Sequence, residues 1–117
     1  MSYDIRMVNI QGEVCKLKEP HYYKGGTYII GGNDLAEHNI TYNYGYFYKE
    51  VLGDEGIRFL YGKTGKECLL HINKAIEKLG IDKTNNYWEA TQGNAGNALL
   101  ALKFFCEQFP AGIIEGD

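Results

Sequence analysis

Thr64-Gly65-Lys66-Glu67-Cys68-Leu69-Leu70-His71-Ile72-Asn73-Lys74-Ala75-Ile76-Glu77-Lys78-Leu79-Gly80 is the most sharply defined stretch of the chain. Thr64 with Glu67 three residues on makes a capping box, a pair in which each side chain satisfies a backbone N–H at the other. Leu69, Ile72, Ile76 and Leu79 form an apolar stripe at helical spacing, and Gly80 supplies the stop. Such a stripe needs a core opposite it. Downstream, Ala98, Leu99, Leu102, Phe105, Cys106 and Phe109 make a second stripe that Pro110 terminates. Two C-terminal helices are therefore expected to pack together on a sheet.

The sheet has to come from the N-terminal half. Tyr3-Asp4-Ile5-Arg6-Met7 alternates apolar and polar, and Gln11-Gly12 offers a turn before Glu13-Val14-Cys15-Lys16-Leu17, which predicts a β-hairpin. Val8 interrupts the alternation, so this strand is either covered on both faces or bulged. Glu19-Pro20 should end the second strand, because proline has no N–H for a ladder. Thr27-Tyr28-Ile29-Ile30, fenced by Gly25-Gly26 and Gly31-Gly32, reads as a third strand. Asn33 to Glu37 then reads as a loop or a single helical turn. His38 to Tyr46 reads as a fourth strand, with Ile40, Tyr42, Tyr44 and Tyr46 on one face and Asn39, Thr41 and Asn43 on the other. That polar face is either solvated or lines a pocket. Phe47 to Leu52, closed by Gly53, makes a short helix, Gly56 to Gly62 a helical segment, and Ala111 to Asp117 a tail. The fold class expected is α+β, one domain over residues 1–117, with an antiparallel sheet of three to four strands against two main helices.

Composition excludes several roles. One modest core is what 117 residues can bury. The formal charge of −3 carries no basic block, which argues against a nucleic acid duplex as partner. No apolar run approaches the ~18 residues of a membrane span, and no leader-like segment opens the chain, so a cytoplasmic protein is expected. Ten tyrosines and five phenylalanines favour a recognition surface. Cys15, Cys68 and Cys106 are odd in number and far apart, which fits small buried side chains rather than a disulfide framework.

Catalytic signatures fail one by one. Gly62-Lys63-Thr64 invites a phosphate-loop reading, but the glycine required before it falls on Ile57, with Gly56 one residue too early. The sole serine, Ser2, sits in no nucleophile elbow. His21, His38 and His71 stand apart from one another and from the cysteines, so neither a metal nor another cofactor is expected. One constellation survives. Tyr87 and Trp88 can stack on a planar ligand, Glu89 can accept hydrogen bonds, and Asn94 and Asn97 can donate and accept them. Gly93-Asn94-Ala95-Gly96 opens a helix whose N–H groups suit an anion. The bland alternative makes Trp88 a core anchor and Thr91 or Asn94 a helix cap.

Asn39-Ile40-Thr41-Tyr42-Asn43-Tyr44, Gly56-Ile57-Arg58, Leu60-Tyr61-Gly62-Lys63-Thr64-Gly65, Tyr87-Trp88-Glu89-Ala90-Thr91 with Gly93-Asn94-Ala95, and Pro110 with Gly112 resemble a group of short uncharacterised proteins of bacteria, phages and prophages. The similarity runs over about two thirds of the chain, from Asn39 onward. It implies a mobile-element setting, in which small acidic proteins counter host defences by binding a protein or sequestering a nucleotide signal.

The expectation drawn from all this is a non-catalytic module binding a small, planar, anionic, nucleotide-like ligand. Asn39, Thr41 and Asn43 would face the turn formed by Tyr87, Trp88, Glu89, Asn94 and Asn97, and Arg58 and Lys63 would supply positive charge. The alternatives are a module that binds a host protein through the same tyrosines and a small enzyme using Glu89 as acid or base. Self-association through exposed aromatics is a further expectation, although no coiled-coil pattern marks it.

Overall fold

The computed structural model describes residues 1–26 and 31–117. In chain order the elements are β1 (Ser2–Val8), β2 (Lys16–His21), β3 (Asn33–Leu35), β4 (Glu37–Thr41), α1 (Gly45–Leu52), α2 (Gly65–Leu79), α3 (Gln92–Gln108) and β5 (Ile113–Gly116), with 3-10 turns at Tyr42–Tyr44 and Gly56–Leu60. β1 is the centre of a three-stranded antiparallel sheet ordered β4-β1-β5, and β2 pairs with β3 in a second, two-stranded sheet. The architecture is thus α+β, with α2 and α3 as its two long helices. None of the described helices is long and apolar enough to cross a membrane.

β1 turns Tyr3, Ile5 and Met7 into the core and leaves Asp4 exposed on the other face. Its register sets Tyr3 against Ile40 and Ile5 against His38, so β4 also buries alternate residues. α2 packs along α3 beneath this layer, and Ile72, Leu99, Leu102 and Phe105 fill the space between them. The capping box forms as expected: Thr64 Oγ1 accepts from the Glu67 N–H at 3.2 Å while Glu67 Oε1 accepts from the Thr64 N–H at 3.1 Å. Cys15, Cys68 and Cys106 are all buried and unbridged, as small core side chains.

Several sequence expectations need correction. The turn at Gln11-Gly12 exists, with Gly12 at φ 81°, yet the predicted hairpin narrows to a bridge between Val8 and Val14. Ala36 intervenes: its carbonyl accepts from Met7 N–H and its N–H donates to the Cys15 carbonyl, both at 2.9 Å, stitching the two sheets together. Pro20 does not end β2. Six residues of β2 face three of β3 and the register shifts between the paired ends, so the missing N–H interrupts no regular ladder. Asn33–Leu35, expected as a loop or helical turn, is β3 itself. The expected strand at Thr27–Ile30 lies outside the described residues.

The strand foreseen from His38 to Tyr46 stops at Thr41, whose hydroxyl accepts from the Asn43 N–H at 3.2 Å and caps the 3-10 turn leading into α1. Tyr44 and Tyr48, four residues apart, are both buried with their rings edge to face at 6.3 Å. Helical spacing there wins over the alternation. The tail forms β5, which pairs with β1 on one side and bridges Thr64 on the other. The loop before α2 has no free anion cradle, because the N–H groups of Gly62, Lys63, Gly65 and Lys66 donate to the carbonyls of Ile114, Leu60, Gly112 and Pro110.

Candidate functional site

The loop between α2 and α3 is gathered around the Asn94 amide. Asn94, in the first turn of α3 and 3% exposed, accepts from the Thr84 N–H at 2.8 Å through Oδ1. Its Nδ2 donates toward Thr84 Oγ1, the Asn86 carbonyl and the Glu89 carbonyl, at 3.2, 3.0 and 2.9 Å. A buried amide in this state has no capacity left for a ligand. The incoming chain lies so close to α3 that a Cβ at Gly96 would stand 1.7 Å from the Gly80 carbonyl oxygen, and one at Gly93 would stand 1.9 Å from that of Asp82. Only glycine permits that approach.

The same loop is riveted to the end of β4. Tyr87 accepts from the Thr41 N–H at 3.0 Å and donates to the Asn39 carbonyl at 3.4 Å. Tyr44 donates to the Tyr87 carbonyl, and Asn43 Nδ2 donates to the Trp88 carbonyl at 2.8 Å. Trp88 stands edge-on to Tyr87 at 5.0 Å and remains 50% exposed, so it is not a core anchor. The structure therefore brings together Asn39, Thr41, Asn43, Tyr87, Trp88 and Asn94 as the sequence suggests, but in large part to hold one another. Thr91 caps α3 and takes the N–H groups of Asn94 and Ala95, so those two are not open to an anion. Glu89 is exposed, and its carboxylate makes no hydrogen bond among the described residues.

Arg58 and Lys63 belong elsewhere. Arg58 lies over the rings of Tyr3 and Tyr42 and donates to the Asp117 carbonyl at 3.0 Å. Lys63 folds back on its own loop, donating to the Phe59 carbonyl at 2.7 Å with its ammonium 3.9 Å from that ring's centre. Neither lines a cavity described below.

A cavity of about 630 Å³ opens beside the Asn94 loop. One wall is the strap Tyr22-Tyr23-Lys24, which leaves β2 and runs along the free edge of β4, where the Gly26 N–H donates to the Asn39 carbonyl at 3.2 Å. The strap lies tight against the strand: a Cβ at Gly25 would stand 2.0 Å from the Asn39 carbonyl oxygen. Lys83, Thr84, Asn85 and Tyr87 line it from the loop between α2 and α3, Asn94, Asn97, Ala98 and Leu100 from α3, and His38 and Tyr44 complete the lining. Asn97 also donates to the Ile81 carbonyl at 3.1 Å. A volume in this range accommodates a small molecule. Lys24 and Lys83 join neither of the two ion pairs found among the described residues, Arg6–Glu115 and Lys16–Asp34.

A second cavity, about 270 Å³, lies against the outer face of β1 and β4 and shares Tyr23 and His38 with the first. Asp4, Arg6, Glu37 and Asn39 line it. Behind both, His21 Nε2 donates to the Glu37 carbonyl at 3.1 Å while Nδ1 accepts from the Tyr23 N–H at 3.3 Å, which requires the neutral ring. Burial pulls the His38 pKa down to about 4, with a smaller contribution from His21 beside it.

Of the residues singled out from sequence, Tyr87, Asn94 and Asn97 line the larger cavity and Asn39 the smaller. Tyr23, Lys24, His38 and Lys83 escaped sequence reasoning, and the aromatic and basic run His21-Tyr22-Tyr23-Lys24 was the one local signal that could have pointed to them. Comparison of the chain with protein families, with curated proteins and with solved structures finds no match.

Proposed function

We propose that this protein is a non-catalytic binding module that holds a small, planar, anionic, nucleotide-like ligand in the larger cavity. The observation that carries the reading is the composition of its lining: Tyr22, Tyr23 and Tyr87 supply aromatic rings, and Lys24 and Lys83 form no ion pair among the described residues. Positive charge comes from Lys24 and Lys83 in place of Arg58 and Lys63. Together with the resemblance to short phage and prophage proteins, this favours sequestration of a nucleotide signal over turnover of a substrate.

A thermal-shift panel of nucleotides and other aromatic anions tests the reading. A true ligand at a hundred times its Kd adds about 2.7 kcal/mol, a rise in Tm of about 10 °C. That rise should vanish in the Lys24→Glu, Lys83→Glu double variant and survive in Arg58→Ala. An unchanged Tm across the whole panel would count against the ligand reading.

One observation favours a second reading. Trp88 and Tyr46, 50% and 71% exposed, offer aromatic anchors of the kind that dominate protein interfaces. If a host protein is the target, Trp88→Ala with Tyr46→Ala should abolish its capture while leaving Tm unaltered.

A further inference from the structure

The strap that leaves β2 is tied down by few polar contacts. Among the described residues, two N–H groups between Tyr22 and Gly26 find an acceptor: Gly26 donates to the Asn39 carbonyl at 3.2 Å, and Tyr23 donates to Nδ1 of His21 at 3.3 Å. The second is a turn in which a side chain takes the N–H two residues on. The same turn recurs at Asn9, Asn33 and Asn86, at 3.0, 2.9 and 3.1 Å, and with a hydroxyl at Thr41 and Thr84. Amide and hydroxyl oxygens accept at any ordinary pH. An imidazole nitrogen does not, because its single lone pair is where a proton adds.

The His21 ring is fixed in the accepting state. Its Nε2–H donates to the Glu37 carbonyl at 3.1 Å, which leaves the lone pair on Nδ1. The ring is 5% exposed, with Phe105 of α3 at 5.1 Å and Tyr23 at 5.5 Å. A proton on Nδ1 would set two N–H groups against each other across 3.3 Å. The titratable and charged groups around it are Glu37 and His38 from β4, Tyr23 and Lys24 from the strap and, beyond Tyr23, Glu107 of α3. Burial outweighs the pull of Glu37 and lowers the His21 pKa below 6.5, while His38, at about 4, is neutral near that pH. The imidazole of a released strap would titrate at the ordinary value, so the released form takes the proton first as pH falls. The tied form is therefore favoured above pH 6.5 and loses ground below it.

We propose that His21 is a proton-operated latch: neutral, it holds the Tyr22 to Gly26 strap against β4 and α3, and protonated, it lets the strap go. Tyr22, Tyr23 and Lys24 of the larger cavity's lining ride on that strap, so acid takes the cavity apart from one side while the helices stay in place. The chain carries its own reporter. A Cβ at Gly26 would stand 3.2 Å from the tip of the Trp88 ring, so the far end of the strap abuts the sole tryptophan.

Trp88 emission of the full chain, followed from about pH 8 to about pH 5 beside the His21 imidazole resonances, is the test. The expected result is a reversible shift to longer wavelength whose midpoint lies below pH 6.5 and coincides with the His21 titration, with far-ultraviolet circular dichroism unchanged. His21→Asn retains an acceptor for the Tyr23 N–H that no proton can remove, so its emission should stay flat, whereas His38→Phe should keep the transition. A transition that persists in His21→Asn would overturn the latch, as would Trp88 emission that ignores the His21 titration in the unaltered chain. If a melting curve shows that His21→Asn does not fold, agreement or disagreement of the two midpoints in the unaltered chain decides.

Discussion

Two polar clusters occupy different parts of this molecule, and they differ in what their groups do. Around Arg58, the guanidinium rests on Tyr3 and Tyr42 and holds the Asp117 carbonyl, while the Asp117 carboxylate takes the Asp4 N–H at 3.0 Å. Around His38, Lys24 and Lys83 make no ion pair and the imidazole makes no hydrogen bond among the described residues, beside a cavity of about 630 Å³. In the first cluster the charged groups are engaged by its own members, and among the described residues only the Tyr61 hydroxyl is buried there without a partner. The second has donors and acceptors that the fold leaves unanswered, and unanswered groups at a cavity mark a site better than polar residues alone.

The largest effect that would break this contrast belongs to Asn94, which organises one wall of the open cluster. Asn94→Leu keeps the shape and removes an amide that accepts one hydrogen bond and shares two N–H donors among three acceptors. At about 1 kcal/mol for each of three full bonds, stability should fall by roughly 3 kcal/mol, seen as a drop in Tm of at least 10 °C together with loss of ligand binding. A variant that melts like the parent would show that the loop is held by something else.

Acid should act on the open cluster next. The His38 pKa of about 4 in the folded chain lies below the ordinary 6.5, so the unfolded chain takes up the proton first as pH falls. The stability conferred by neutral His38 is complete above pH 6.5 and is lost progressively down to about 4, by roughly 3 kcal/mol at most. Burial lowers the His21 pKa in the same sense, so His38→Phe should remove only part of the slope. Asp4, Glu37 and Lys24 also face the shared cavities and remain in that variant. Melting curves between pH 7 and 4.5 check this; equal slopes in parent and variant would deny His38 its buried, neutral state.

Charge reversal sharpens the contrast further. Lys83→Glu should weaken binding of a nucleotide about tenfold or more, whereas Arg58→Ala should leave affinity unchanged and lower stability by about 1 kcal/mol through lost stacking. Titration calorimetry on both variants compares the clusters directly. The smallest effect lies in the closed cluster. The Tyr61 hydroxyl is buried against Gly116 without a partner among the described residues, and burial pushes its pKa up to about 12. Tyr61→Phe should leave stability unchanged or raise it by up to about 1 kcal/mol in chemical denaturation.

The helical half of the fold is legible in the chain because its signals are local: the Thr64 and Glu67 cap, the stripes of α2 and α3, and Pro110 beyond the last helix. What escapes depends on distant partners. Ile113–Gly116 is too short to declare itself and becomes β5 only because β1 offers an edge. Tyr42, Tyr44 and Tyr46 satisfy a strand's alternation, while Tyr44 with Tyr48 satisfies a helix; the Thr41 cap and the burial of both rings decide between them. The candidate site divides the same way. Tyr87, Trp88 and Asn94 are neighbours in sequence and were visible, though Asn94 proves to be a staple. Lys24, His38 and Lys83 share no spacing that marks them and meet only because the strap and the Asn94 loop come to flank the same end of α3.

The central claim is that the open cluster, not the closed one, receives the ligand. Nuclear magnetic resonance titration of the labelled protein with adenosine 5′-monophosphate tests it residue by residue. The account predicts saturable shifts confined to Tyr23, Lys24, His38, Lys83 and Asn97, with Arg58 and Lys63 unmoved. Shifts centred on Arg58 and Lys63, or no saturable shift anywhere, would contradict it.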